Sequence, residues 1–160
     1  MTGILLRKIS TKDKKYFTEW WRNADLIKLT SGCLDPISDK DVDKYFSLMI
    51  DSKVDHHFMI IIDKKVIGHI VLSQRKNGWY ETQIIIGDKN FWGRGYGTEA
   101  IKKLLRKAKN MGISKVYLEV RPTNIRAITA YKKSGFLEKG IIKYPDNPYL
   151  PETLRMEINQ

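Results

Sequence analysis

Three glycines at alternate positions, Gly93, Gly95 and Gly97, stand between an apolar run ending at Ile86 and an amphipathic stretch with Ala100, Ile101, Leu104, Leu105 and Ala108 on one face. That pattern dictates a strand, a sharp turn and a helix, in that order, and it sets the chemistry open to the turn. Glycines let the backbone bend tightly and bring N–H groups close to a ligand. The first turn of a helix leaves its N–H donors unpaired, and the macrodipole adds partial positive charge. Together these bind phosphate, so a pyrophosphate-bearing cofactor is the natural ligand; a glycine-rich helix entry that holds no ligand is the alternative. A nucleotide P-loop is excluded because Thr98 and Glu99, not a lysine, follow Gly97. The Gly93-x-Gly95-x-Gly97 spacing, midway along the chain, also fails the pattern of a dinucleotide-binding unit.

The elements around this turn change period twice. Ile4 to Ile9 reads as a strand, and Ser10 or Thr11 caps a helix carrying Tyr16, Phe17, Trp20, Trp21 and Ala24 at helical spacing. Thr30 to Ile37 reads as a loop. Ser38 with Asp41 resembles a capping box opening a second amphipathic helix through Val42, Tyr45, Phe46, Met49 and Ile50. His57 to Asp63, Val66 to Ser73 and Trp79 to Ile86 then read as an antiparallel meander, with turns at Asp63 to Lys65 and Lys76-Asn77-Gly78. Beyond the glycine turn the order is helix (to Asn110), strand (Lys115 to Val120), helix (Asn124 to Ser134) and strand (Phe136 to Tyr144). The Pro-rich stretch 145–151 is a loop before a last strand, Thr153 to Asn159. The expectation is one mixed α/β (α+β) domain over residues 1–160, an antiparallel half followed by a β-α-β-α-β half.

Composition removes several function classes. Cys33 is the only cysteine, so neither an internal disulfide nor a cysteine-based zinc site can form. His56 and His57 form no metal-binding spacing, and no metal site is expected. No window approaches the roughly 20 apolar residues of a membrane helix. No secretory signal is read in Met1 to Ser10, so no membrane partner and a cytoplasmic location are expected. The net charge of +11 invites a nucleic-acid reading, but the lysines are scattered, as on a solvated surface. Such a surface also attracts anionic phosphates.

Two segments resemble the GNAT superfamily of acetyltransferases. Trp92-Gly93-Arg94-Gly95-Tyr96-Gly97 is similar to its pyrophosphate signature, with Trp92 where Gln or Arg is usual. The Trp-Gly-Arg-Gly-Tyr form looks like the branch that includes the ribosomal-protein N-terminal acetyltransferases. The segment Val120 to Phe136 resembles the family's other block, Asn-x-x-Ala-x-x-x-Tyr-x-x-x-Gly-Phe, through Asn124, Ala127, Tyr131, Gly135 and Phe136. The resemblance implies a mostly antiparallel mixed sheet of about seven strands flanked by about four helices. It implies acetyl-CoA as cofactor, with CoA as product, and an acetyl group moved to a primary amine by direct attack in a ternary complex. Phosphate ligands would be backbone N–H groups from Arg94 to Thr98, with Trp92 and Gly93 in the same turn. Ile85, Ile86 and Gly87 would lie beside the thioester, Gly87 marking a bulge. Asn124, Ala127 and Tyr131 would lie along the cofactor arm, with Tyr131 as the acid that protonates the departing thiolate. Their spacing of i, i+3 and i+7 puts all three on one helix face.

The same resemblance makes Glu81, on the strand leading to the turn, the first candidate for the base; an exposed glutamate on a meander strand is the alternative. His69 reads as a packed or surface histidine, and Cys33 as an incidental thiol. The acceptor stays open among protein N-termini, polyamines, amino sugars and aminoglycosides. The early region carries Asp35, Asp39, Asp41, Asp43, Asp51 and Asp55 against Lys40, Lys44 and Lys53. That is either an acidic pocket for a cationic amine or a helix with solvated acids. Trp20, Trp21 and Trp79 either line the acceptor site or fill the core. A non-catalytic acyl-CoA-binding module and a basic RNA-binding domain are the competing functions, and an exposed final strand would support a homodimer.

Overall fold

The computed structural model describes residues 3–30 and 35–160. Cys33 lies outside the described residues. The seven strands are β1 (Leu5–Lys8), β2 (His56–Ile62), β3 (Lys65–Gln74), β4 (Trp79–Ile86), β5 (Lys115–Val120), β6 (Leu137–Lys143) and β7 (Glu152–Asn159). They form one sheet in the order β1-β2-β3-β4-β5-β7-β6, antiparallel except for β4 with β5. The helices are α1 (Lys14–Trp20), α2 (Ala24–Thr30), α3 (Asp39–Asp51), α4 (Tyr96–Asn110) and α5 (Ile125–Lys133). The final strand therefore sits inside the sheet, between β5 and β6, and offers no free edge for a dimer.

Alternation along the strands divides the side chains between two cores. Ile60, Ile67, Ile70 and Leu72 meet the apolar faces of α4 and α5 through Ile101, Leu104, Ile128 and Tyr131. On the opposite face Met59 packs with Phe17, Trp20, Leu26 and Phe46 from α1, α2 and α3. Tyr16, Phe17, Trp20 and Trp21 thus serve the second core. The spacing predicts a single helix running through Ala24, but the chain breaks at Trp21 to Asn23 and a separate α2 begins. Asn23 causes this, because its Oδ1 accepts the N–H groups of Asp25 (3.1 Å) and Leu26 (3.2 Å) as an N-cap does. Five helices result among the described residues, one more than the pattern implies.

The start of α1 is fixed by a carboxylate. Asp13, only 2% exposed, accepts two hydrogen bonds from the Arg7 guanidinium (2.7 and 3.0 Å) and one from the Ser10 N–H (2.8 Å). Burial pushes this carboxyl up, but the Arg7 and Ser10 hydrogen bonds outweigh burial and hold it below the ordinary carboxylate range. A lowered folded pKa stabilises the fold above the unfolded value and is lost as pH falls through the folded one. Asp13→Asn is expected to cost about 1–3 kcal/mol at neutral pH. In chemical denaturation the gap to the parent chain should close as the pH is taken below the carboxylate range.

Candidate functional site

Strands β4 and β5 pair at only three positions, Trp79 with Lys115, Tyr80 with Val116 and Glu81 with Tyr117. Beyond them the strands diverge, and a cavity of about 780 Å³ opens in the gap. Thr82 to Ile86 line one side and Glu119 to Arg121 the other. The glycine turn follows β4 and α5 follows β5, so the amino ends of α4 and α5 face the same opening.

The turn keeps its N–H groups free. Gly95 is the N-cap of α4 with φ of 86° and no side-chain cap. Its carbonyl accepts only the Glu99 N–H (3.0 Å), so the N–H groups of Tyr96, Gly97 and Thr98 have no partner within the helix. Glu99, the one acid of that first turn, faces away and accepts the Ile4 N–H (3.0 Å). Cβ atoms built at Gly93, Gly95 or Gly97 would meet nothing within 4 Å, so the space before these amides is open. Gly93, Gly95, Tyr96, Gly97 and Thr98 all line the cavity, whereas Arg94 does not; its guanidinium lies over the rings of Phe91 and Tyr96. Trp92 takes a structural part, its indole N–H donating to the Ile86 carbonyl (2.7 Å). Arg126 stacks on the Trp92 ring at 4.2 Å and lines the cavity beside the turn. The sequence reading passed over this cation, although it stands two residues after Asn124.

The Gly87 N–H donates to the Ile67 carbonyl (2.8 Å) and is therefore spoken for. The β3–β4 pairing contains no register shift, so Gly87 marks no bulge. It makes room instead for Trp20, whose indole would sit 1.9 Å from an added Cβ. Amide directions alternate along a strand, so the N–H groups of Ile84 and Ile86 point away from β3 into the gap, and that of Ile85 points to β3.

Asn124 caps α5, accepting the Ala127 N–H (3.3 Å), and Asn124, Ala127 and Tyr131 all line the cavity. Tyr131 is 8% exposed, and burial pushes its hydroxyl up to about 12, so it stays protonated through the neutral range. Thr82 contributes a buried hydroxyl with no hydrogen-bond partner among the described residues.

The two carboxylates near the gap differ in position. Glu81 sits at the last paired rung, held by the Arg75 guanidinium (2.8 Å) and the Tyr117 hydroxyl (3.3 Å), and does not line the cavity. Glu119, two residues past that rung, does line it. Its Oε1 accepts the hydroxyls of Tyr144 (2.6 Å) and Thr153 (2.5 Å), and Oε2 has no partner among the described residues. That hydrogen bond, with burial, pushes the Tyr144 hydroxyl up to about 12. The Arg121 guanidinium donates to the Tyr149 carbonyl (2.7 Å), tying the loop before β7 to the same wall.

Past the gap, α1 supplies Phe17 and its C-cap Trp21, α2 supplies Leu26 and Leu29, and α3 supplies Met49 to the cavity, which His57 and His69 also line. Trp20 is core and Trp79 lies outside the cavity. None of the early aspartates lines it. Asp39 pairs with Arg22, Asp43 with Lys14, and Asp55 accepts the Gln74 N–H, which is the solvated-face arrangement.

A family model described as Acetyltransferase (GNAT) domain matches residues 4–137. Aminoglycoside N(6')-acetyltransferase type 1 of Klebsiella pneumoniae is 28% identical over 89 residues, 48% of this chain and 44% of that protein. A kanamycin resistance protein of Rhizobium radiobacter is 34% identical over 64 residues, 38% of this chain and 59% of that one. In both, the match spans less than two thirds of the relative's length. A spermidine N-acetyltransferase from Vibrio cholerae, crystallised with CoA and spermine, has the same fold. Its TM-score is 0.85 at 22% identity, over 99% of this chain and 96% of that one. An aminoglycoside acetyltransferase with coenzyme A and kanamycin aligns with a TM-score of 0.82 at 18% identity, over 99% and 95%. None of these is a ribosomal-protein acetyltransferase, so the branch that the Trp92 to Tyr96 form resembles is not shown. On the match to residues 4–137 and the fold that carries it, the chain belongs to the GNAT family of acetyltransferases.

Proposed function

We propose that this chain is an acetyl-CoA-dependent N-acetyltransferase acting on a primary amine. The observation that carries the reading is the single cavity that joins the free amides of α4, the protonated Tyr131 and the carboxylate of Glu119. The open space before Gly93, Gly95 and Gly97 and the absent cap fit a pyrophosphate. Tyr96, Gly97 and Thr98 N–H groups would hold it, with Arg126 adding charge. Bound there, acetyl-CoA supplies an acyl group activated as a thioester.

The chain's own groups divide the remaining work. The Ile86 N–H, pointing into the gap, donates to the carbonyl oxygen where negative charge develops. Glu119 Oε2 accepts a proton from the incoming ammonium, directly or through water, leaving the neutral amine that attacks. As the carbon–nitrogen bond forms and the carbon–sulfur bond breaks, the Tyr131 hydroxyl would give its proton to the sulfur, and the proton shed by the new amide nitrogen would pass through water back to Tyr131. Direct attack needs only that both substrates be held together in the gap. Glu119 takes the role of base in place of Glu81, because Glu81 is committed to Arg75 and Tyr117. The acceptors named for the relatives, aminoglycosides and spermidine, and the protein N-termini of the ribosomal-protein branch share this primary-amine chemistry.

Free-thiol release from acetyl-CoA over a panel of amines tests the reading. Turnover with one acceptor class supports it; binding of acetyl-CoA without release from any amine would leave an acyl-CoA-binding module instead. Tyr131→Phe is expected to lower kcat about a hundredfold while acetyl-CoA affinity changes less than about threefold. Unchanged kcat would remove the acid role from Tyr131.

A further inference from the structure

The two ends of the cavity differ in chemistry. At the α4 and α5 end the lining is cationic and amide-rich, with Arg126, Lys133 and the open helix terminus. At the α1 to α3 end it is Phe17, Trp21, Leu26, Leu29 and Met49 facing His57 and His69. Among the described residues that line the cavity, Glu119 is the only carboxylate, and it stands on β5 two residues past the last rung shared with β4. Residues 31–34, Ser-Gly-Cys-Leu, carry no carboxylate by sequence, so that segment adds none.

The histidines are turned on each other. His57 Nδ1 lies 3.0 Å from His69 Nε2, and the rings stack at 5.2 Å between centroids. Phe17 presents its ring at 4.9 Å to His69. One ring nitrogen of each is thus used within the pair, and burial lowers both pKa values, so this wall is neutral near pH 7. It offers hydrogen bonding and apolar surface, and the carboxylate that acts on His57, Asp55, does so from outside the cavity lining.

A polyamine or aminoglycoside brings several ammonium groups. One can meet Glu119; each further one entering this end would lose its hydration with no anion to replace it. The chain's net charge of +11 adds to that cost. On the acetyltransferase reading above, we infer that the acceptor is an amine whose reacting nitrogen is its only cationic group, carried on an apolar or aromatic body. Glu119 receives the nitrogen, and Trp21, Phe17 and Met49 receive the body. A free arylalkylamine and a polypeptide beginning with an aromatic residue share this chemistry.

Thiol release with saturating acetyl-CoA would compare phenethylamine, a short uncharged-side-chain peptide beginning with Phe, spermidine and kanamycin. The expected result is kcat/KM for phenethylamine or the peptide at least about tenfold above both polycations. The better of the two monocations names the source. Preference for spermidine or kanamycin would overturn the inference while leaving the enzyme reading intact. Failure to bind acetyl-CoA would instead overturn the reading on which it rests. Gln83, exposed on β4 and lining the cavity, gives a gain test. Gln83→Glu adds a second carboxylate at nearly constant shape and is expected to move the spermidine to phenethylamine ratio upward about tenfold. No movement in that ratio would contradict the charge argument.

Discussion

Gly95→Glu is expected to weaken acetyl-CoA binding by at least about a hundredfold, about 3 kcal/mol or more. Two causes add. The residue holds φ of 86°, a region that costs a side-chain-bearing residue about 1–3 kcal/mol. Its side chain would also put a carboxylate where the phosphates approach the α4 amides, with no neighbouring atom to push it aside. Gly95→Ala separates the two, since alanine carries the strain without the charge. Calorimetric titration of both variants, with thermal melts alongside, makes the comparison. The account expects alanine to lose far less affinity than glutamate at a similar melting temperature. Equal CoA affinity in the parent and in Gly95→Glu would place the cofactor elsewhere.

The second large effect falls on Glu119. Glu119→Gln keeps an acceptor oxygen for Tyr144 and Thr153 but removes the base, so kcat/KM is expected to fall about 10²–10³-fold. Acetyl-CoA affinity should hardly move. Glu81→Gln is the contrast, because Glu81 sits outside the cavity in its ion pair with Arg75. Its expected loss in kcat/KM is below about threefold. Steady-state kinetics of the two variants decides between the carboxylates, and the opposite ranking would return the role to Glu81.

The fold was legible where punctuation was strong. Asn77-Gly78 before β4 and Met111-Gly112 before β5 set off apolar runs whose bounds in the sequence match the strands. The Ser38 cap, the α4 face and the glycine turn ahead of it were equally readable, because these are local features of the chain. What escaped the sequence depends on long-range pairing. Whether Glu81 or Glu119 lines the cavity is set by the rung at which β4 and β5 part, and no local pattern encodes that rung. The same holds for His69. Its burial against His57 and Phe17 follows from which sheet face α1 covers. The break between α1 and α2 was local and could have been found. Asn23 ahead of Ala24 and Asp25 is an N-cap signal, masked by the aromatic run from Tyr16 to Trp21. The early aspartates follow the solvated-face alternative. Acidic residues at a helix start serve its dipole and nearby lysines and arginines as readily as a pocket, and here they do the former.

The most direct test of the account is calorimetric titration of the parent chain with acetyl-CoA. The account predicts saturable binding of one molecule per chain, weakened by salt as expected for phosphates held by helix amides and Arg126. No heat and no saturation would contradict it, because the open end of α4 and the gap between β4 and β5 would then have no cofactor to hold.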